Sequence, residues 1–381
     1  MFSRKLVFSS ACLGMLIFGI GLITLGSVAT GLSLKFQLDE IAAGTLFSIL
    51  PIGVLAGSLA FGPICDRYGY KILLSTSCII MFAGFEGIAF AGSTAMLKIC
   101  IFFFGLSGGA INGATNALVS DISEKEKGAN LSILGVFFGI GALGMPFVSG
   151  LLKNKYSFET ILSAVGWLTL MAGIFFSIIN FPAPKHRQGF PISSSMGLLK
   201  DPVIILIAFF LFCQSSFEAI INNWTTTYLN KQLAIPGARA LYALSLFVAG
   251  MTIMRLFLGT IFRSVPAGKM LFILLGVVFL SCMILKWADS FGFAVTGLIF
   301  LGAGLAGGFP IMLGLVGSRY ARISGTAFSL VLVVALFGNM LVNYLMGFIA
   351  QSYGIQHLLT VSFVEIFIML LLGFLIFRKI K

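Results

Sequence analysis

The sequence predicts an all-α membrane protein, with twelve transmembrane helices in two six-helix bundles that repeat one another in parallel. Three observations carry that prediction. Of 381 residues, 59% are hydrophobic and 9% charged, and the mean hydropathy is +1.09, so the chain lacks the polar surface a soluble globule needs. Twelve apolar runs reach the ~20 residues that a spanning helix requires. Landmarks of the first six runs return in the last six at a nearly constant offset, as expected of a duplicated bundle.

The runs fall near residues 7–32, 42–63, 72–92, 95–120, 129–151, 159–181, 202–228, 238–262, 270–286, 290–317, 324–350 and 356–377. The first follows a basic front, but from Leu6 to Leu34 it is too long for a signal-peptide core and reads as a span. Gly105, Gly109 and Gly113 on span four, and Gly135 and Gly139 on span five, recur every four residues, a stripe that lets helices approach. Span ten crowds Gly302, Gly304, Gly307, Gly308 and Pro310 and is expected to bend, since proline removes a backbone donor. Residues 182–201, with Pro182, Pro184, Lys185, His186, Arg187, Pro191 and Ser193 to Ser195, form the only long polar segment. The predicted organisation is a first bundle, 1–181, a cytoplasmic linker, 182–201, and a second bundle, 202–381.

The internal repeat rests on three landmarks. Gly105-Leu106-Ser107-Gly108-Gly109 recurs as Gly304-Leu305-Ala306-Gly307-Gly308, an offset of 199. Gly128-x-x-x-Ser132 recurs as Gly325-x-x-x-Ser329, offset 197, and Gly62 and Lys71 recur as Gly259 and Lys269, offsets 197 and 198. The second turn carries Arg263 where the first has Asp66. An even number of spans per half gives both halves the same orientation.

The net charge of +12 is an orientation signal and excludes nucleic-acid binding by its distribution. One alternate set of loops holds sixteen Lys and Arg, from Arg4, Lys5, Arg67 and Lys71 through to Arg378, Lys379 and Lys381. The other holds seven, with Arg255 left inside a run. The positive-inside rule therefore places both termini in the cytoplasm, and the expected location is the cytoplasmic (inner) membrane. Six scattered cysteines without a CxxC pair read as small buried hydrophobes.

Between spans two and three stands Gly62-Pro63-Ile64-Cys65-Asp66-Arg67-Tyr68-Gly69-Tyr70-Lys71, where two glycines permit a tight backbone beside three charges. The spacing Gly62-x-x-x-Asp66-Arg67-x-Gly69-x-Lys71 resembles the loop-2–3 signature of the major facilitator superfamily of secondary transporters, although Tyr70 stands where that family more often has a basic residue. The resemblance covers nearly the whole chain. Within it, the run from Gly108 to Asn116, the following Gly128-Ala129-Asn130-Leu131-Ser132 and the spacing from Glu218 to Trp224 are similar to the fucose–galactose–proton symporter branch. The resemblance implies two bundles rocking about a midplane site. Gly62, Asp66, Arg67, Gly69 and Lys71 would form the gate that holds the cytoplasmic ends together in one state. One departure stands out: where the fucose permeases carry an acidic, proton-linked residue on span four, this chain has Asn112, and span one has no acid.

Polar groups inside spans are costly and mark function. On span seven Gln214, Glu218, Asn222 and Thr225 recur at helical spacing, so one face is hydrophilic deep in an apolar run. Asn223 and Trp224 follow, and a ring face beside amides suits the C–H surfaces and hydroxyls of a sugar. Asn112 and Asn116 on span four, and Asn339 and Asn343 on span eleven, are each one turn apart and add two amide faces. Neutral amides suit a neutral polyhydroxylated solute, while helix-helix hydrogen bonding is the competing explanation.

Glu218 and Glu86 are the candidates for proton coupling. Glu86 on span three and Glu365 on span twelve lie inside apolar runs, in positions that suit a structural role as well as a proton. Arg255 is one turn before Gly259, near the inner end of its helix. Snorkelling to the cytoplasm or bonding the Arg263 turn is its expected role, an anion contact the alternative, and by depth no direct pair with Glu218 is expected. His186 and His357 have no metal-ligand spacing, and no GxxxxGK[ST] loop is present, so no enzyme activity, cofactor, metal or ATP-driven pumping is expected. The expected partners are a small-molecule substrate, protons and the lipid bilayer, with the chain a monomer. The reading is an importer of a sugar or polyol by alternating access, proton-coupled. The alternatives are an exporter of drugs or amphipathic metabolites on the same fold, which 40 Phe and sparse intramembrane charge suit equally, and a receptor that binds without translocating.

Overall fold

The computed structural model describes residues 3–37, 40–152, 155–184, 198 and 200–380; most of the expected linker and Lys153 lie outside the described residues. The α-helices in order are α1 (Arg4–Phe36), α2 (Glu40–Tyr68), α3 (Tyr70–Phe90), α4 (Thr94–Ile122), α5 (Lys127–Leu152), α6 (Phe158–Ile178) and α7 (Pro202–Leu233). They continue with α8 (Gly237–Gly259), α9 (Ala267–Lys286), α10 (Phe291–Leu305), α11 (Gly308–Arg319), α12 (Ser324–Ser352) and α13 (Leu358–Ile380). Among the described residues twelve segments are long and apolar enough to cross a membrane, and no strand is present. The architecture is therefore all-α, as composition and run length predict.

Local chemistry sets the boundaries. Only Gly69 separates α2 from α3, at a φ of +84°, a left-handed backbone that favours glycine. At the start of α7 the Asp201 carboxylate accepts the Val203 N–H at 2.8 Å, with Pro202 at the first helical position. The tenth span is broken: α10 ends at Leu305 and α11 begins at Gly308. Pro310 has no N–H to offer the carbonyl of Ala306, so the ladder lapses there and resumes with Ile311 N–H on Gly307 O at 3.0 Å.

The chain forms two compact units. One comprises Met1–Ile122, Phe137–Ile192 and Tyr320–Ser329; the other comprises Ser123–Val136, Ser193–Arg319 and Leu330–Lys381. The exchanged pieces hold the first turns of α5 and α12, and they begin 197 residues apart.

Inside each unit a glycine pair brings two helices into backbone contact. In the first, a side chain at Gly53 would strike the Phe102 carbonyl oxygen, and one at Gly105 that of Leu50, so α2 and α4 touch backbone to backbone. In the second, Gly250 faces the Ile299 carbonyl and Gly302 that of Phe247, joining α8 to α10. All four positions correspond at an offset of 197. The offset of 199 assigned to span four is thereby corrected: the counterpart of Gly105 is Gly302, and Gly304 packs instead on Val278 and Leu274 of α9.

Candidate functional site

The polar face of α7 forms as its spacing predicts, and hydrogen bonds run along it. Gln214, 1% exposed, donates from Nε2 to Glu218 Oε1 at 2.8 Å and to the Leu305 carbonyl at 2.9 Å. Gln214 thus spans from α7 to the last residue of α10. One turn on, Asn222 Nδ2 donates to the Glu218 carbonyl at 2.8 Å. Glu218 and Trp224 are half-buried, whereas Asn222 and Asn223 are exposed. Trp224 Nε1 donates to Asn343 Oδ1 of α12 at 2.9 Å, and Asn339 Nδ2 approaches the Ser215 carbonyl at 3.5 Å. The α7 and α12 residues expected at the site are therefore brought together in the second unit.

In the first unit, Asn116 Nδ2 donates to the Asn112 carbonyl at 2.8 Å and to Asn112 Oδ1 at 3.0 Å, so this pair is bonded along α4 itself. Glu86 accepts a hydrogen bond from Ser163 Oγ of α6 at 2.7 Å. Glu365, 5% exposed, is hydrogen-bonded to Ser216 of α7. Both acids are thus tied to a neighbouring helix. Two clefts of the second unit lie away from the Glu218 face, one of about 480 Å³ at Lys200, Arg319 and Lys379 and one of about 420 Å³ beside Glu126 and Arg263.

The charged turn is built into a latch. Asp66, 4% exposed, accepts at Oδ2 from Thr326 N–H at 3.0 Å and from Thr326 Oγ1 at 2.8 Å. A carboxylate thus sits on the first turn of α12, where the helix dipole favours negative charge. Gly62 makes the approach possible, since a Cβ there would lie 2.6 Å from the Gly325 carbonyl oxygen. Arg67 and Lys71 are exposed, Arg67 lying over the Tyr68 ring. The second unit holds the counterpart. Arg263, 197 positions after Asp66, pairs with Glu126 beside the first turn of α5 and donates from Nη2 to Asn130 Oδ1 at 3.0 Å. Each latch joins one sequence half to the N-terminus of a helix of the other, from the end of α2 in one case and from the turn after α8 in the other.

Three participants escape the sequence pattern. Asp121 accepts hydrogen bonds from Tyr70 and, at 2.7 Å, from Ser324 Oγ, joining α3, α4 and α12. Thr326 and Glu126 lie 260 and 137 positions from the residues they bond, and no spacing in the sequence marks either. Arg255 is 8% exposed and donates from Nη1 to the Gly135 carbonyl of α5 at 3.5 Å, and its charge and that of Glu218 act on each other. It is held inside the protein, contrary to the expected snorkelling.

The Arg263–Glu126 pair is testable by exchange. Both side chains are about 40% exposed, which limits the pair to about 1 kcal/mol or less. Arg263→Glu or Glu126→Arg alone is expected to lower the transport rate a few-fold, and the two together to restore most of it. A double variant no faster than the slower single variant rejects the pairing.

Twelve apolar spans built on a duplicated unit define an integral, multi-pass membrane protein. The profile of the Major Facilitator Superfamily matches residues 11–322, and the chain belongs to that family; it is a transporter and not an enzyme. It is 28% identical over 158 residues to the 4-hydroxybenzoate transporter PcaK of Pseudomonas putida, a match to 41% of this chain and 35% of that protein. It is 24% identical over 170 residues to the multi-drug resistance efflux pump PmrA of Streptococcus pneumoniae, 44% of this chain and 43% of the pump. The fold is that of the E. coli fucose:proton symporter FucP, with a TM-score of 0.82 at 15% identity over 97% of this chain and 98% of that one.

Proposed function

We propose that the chain is a secondary transporter that imports a small polyhydroxylated solute by alternating access, taking up a proton with it. The single observation that carries this reading is the hydrogen-bonded polar run of Gln214, Glu218 and Asn222, continued to α12 by Trp224 and Asn343, inside otherwise apolar spans. These residues, with Asn223 and Asn339, bind the solute by amide hydrogen bonds to hydroxyls and ring contact to C–H surface. The fold likeness to a fucose:proton symporter agrees with a sugar or polyol.

Glu218 is the proton site in this reading, because it is the acid on the half-buried polar face, whereas Glu86 is turned to Ser163 of α6. The two halves, 1–181 and 202–381, are the moving bundles, with 182–201 as a cytoplasmic linker between them. Both termini and the turn of Gly62, Asp66, Arg67, Gly69 and Lys71 lie on the cytoplasmic side of the inner membrane, where the turn gates access. The protein works as a monomer. An exporter of amphipathic compounds on the same fold is the second reading, favoured by the likeness to an efflux pump.

Uptake of labelled hexoses and hexose derivatives into proteoliposomes, with and without a pH gradient, separates the two. Glu218→Gln is expected to abolish substrate-driven proton uptake while exchange of labelled substrate continues. Unchanged proton uptake in that variant rejects Glu218 as the coupling site.

A further inference from the structure

Arg255 is an unusual resident of a transmembrane helix. A guanidinium offers five N–H donors and retains its charge, so inside a bilayer it needs an anion or backbone carbonyls. The Nε of Arg255 is buried without a partner among the described residues, and its contact with the Gly135 carbonyl is long, at 3.5 Å. Space for the group is made by a missing side chain: a Cβ at Gly135 would lie 2.8 Å from Arg255 Cδ and 3.2 Å and 3.3 Å from Nε and Nη1. The guanidinium therefore rests on the bare backbone of α5.

The facing charges are few. Glu218, on α7 of the same unit, is the acid whose charge bears on Arg255, and Gln214, from the same helix, holds its Oε1. Both are within the second unit, and Glu218 is half-buried. A buried guanidinium with an unspent donor matches a carboxylate, and the amides that bond Glu218 suit the hydroxyls of the body that carries it.

We propose that the solute is a hydroxylated carboxylate, of the sugar-acid class, and that Arg255 binds its carboxylate. The proposal rests on the reading of the Glu218 face as the solute site and narrows it. When Glu218 takes the coupling proton, Arg255 loses its countercharge, and the solute carboxylate replaces it. One proton and one anion then cross together, and no net charge moves. A neutral sugar carried with a proton would move one positive charge.

The test uses the full chain in liposomes, with labelled glucuronate and labelled glucose as probes, an inside-alkaline gradient, and a membrane potential set by potassium and valinomycin. Glucuronate uptake is expected to exceed glucose uptake about tenfold, to rise with the pH gradient, and to be unaffected by an inside-negative potential. Arg255→Gln is expected to lower glucuronate uptake about a hundredfold, the scale of losing one partner of a buried charged contact, with Arg255→Lys intermediate. Glucose preferred over glucuronate, with uptake accelerated by the inside-negative potential, overturns the carboxylate while leaving Glu218 as the proton site. Uptake of neither probe, in either direction, overturns both. If Arg255→Gln fails to fold, the potential dependence of the unaltered protein decides alone.

Discussion

Asp66→Asn is expected to slow transport about tenfold while leaving equilibrium solute binding within about twofold. The carboxylate takes two hydrogen bonds from Thr326, one from the backbone at the start of α12 and one from the hydroxyl, at a burial that leaves it 4% exposed. An amide keeps the shape but loses the charge that the helix N-terminus favours, and a charge-assisted bond is worth about 1.5–3 kcal/mol against about 1 for a neutral one. A difference of about 1.4 kcal/mol is a factor of ten, and the gating reading assigns it to one conformational state and not to the solute site. Initial rates of uptake compared with solute binding in detergent separate the two. Equal losses in both count against a gate. Arg67→Ala and Lys71→Ala are expected to do less, because both side chains are exposed.

Gly105→Val and Gly302→Val are each expected to cost folded protein, by about 1–3 kcal/mol or more, the range for forcing extra methylenes into a packed contact. The two positions are the same place in the two units. Each would aim its Cβ at a carbonyl oxygen of the neighbouring helix, Leu50 in one case and Phe247 in the other. Gly144→Ala is the control, since nothing lies within 4 Å of the Cβ it would add. Thermal unfolding in detergent, followed by tryptophan fluorescence, should show both Val variants falling well below the parent and the control staying level. If Gly302→Val is tolerated and Gly304→Val is not, the correspondence at 197 residues is wrong and the one at 199 is restored.

The spans were legible because apolar length is a local property that a bilayer reads without reference to partners. The repeat was legible in outline, but a string of glycines matches itself in more than one register. The backbone contacts of Gly53 with Phe102 and Gly250 with Ile299 tell 197 from 199 on span four. The α7 face was legible for the same reason as the spans, since Gln214, Glu218 and Asn222 lie one turn apart on one helix. Half of each latch was legible. Asp66 announces itself in a motif, whereas Thr326 is 260 residues away and Glu126 is 137 from Arg263, distances at which no local pattern records a pairing. Arg255 was misjudged because depth along a helix argues for snorkelling, and what keeps it inside is the lack of a side chain at Gly135, on another helix.

The interruption of the tenth span gives Gln214 two masters. Its amide serves the carbonyl of Leu305, at the very edge of the broken segment, and the carboxyl of Glu218. If α11 pivots about Ala306 and Gly307 relative to α10, that amide must either follow the edge and drop the acid or keep the acid and strand a peptide oxygen in hydrocarbon, at a cost of several kcal/mol. Motion of α11 is thereby felt, through the one side chain of Gln214, by Glu218, the proton site of the proposed function.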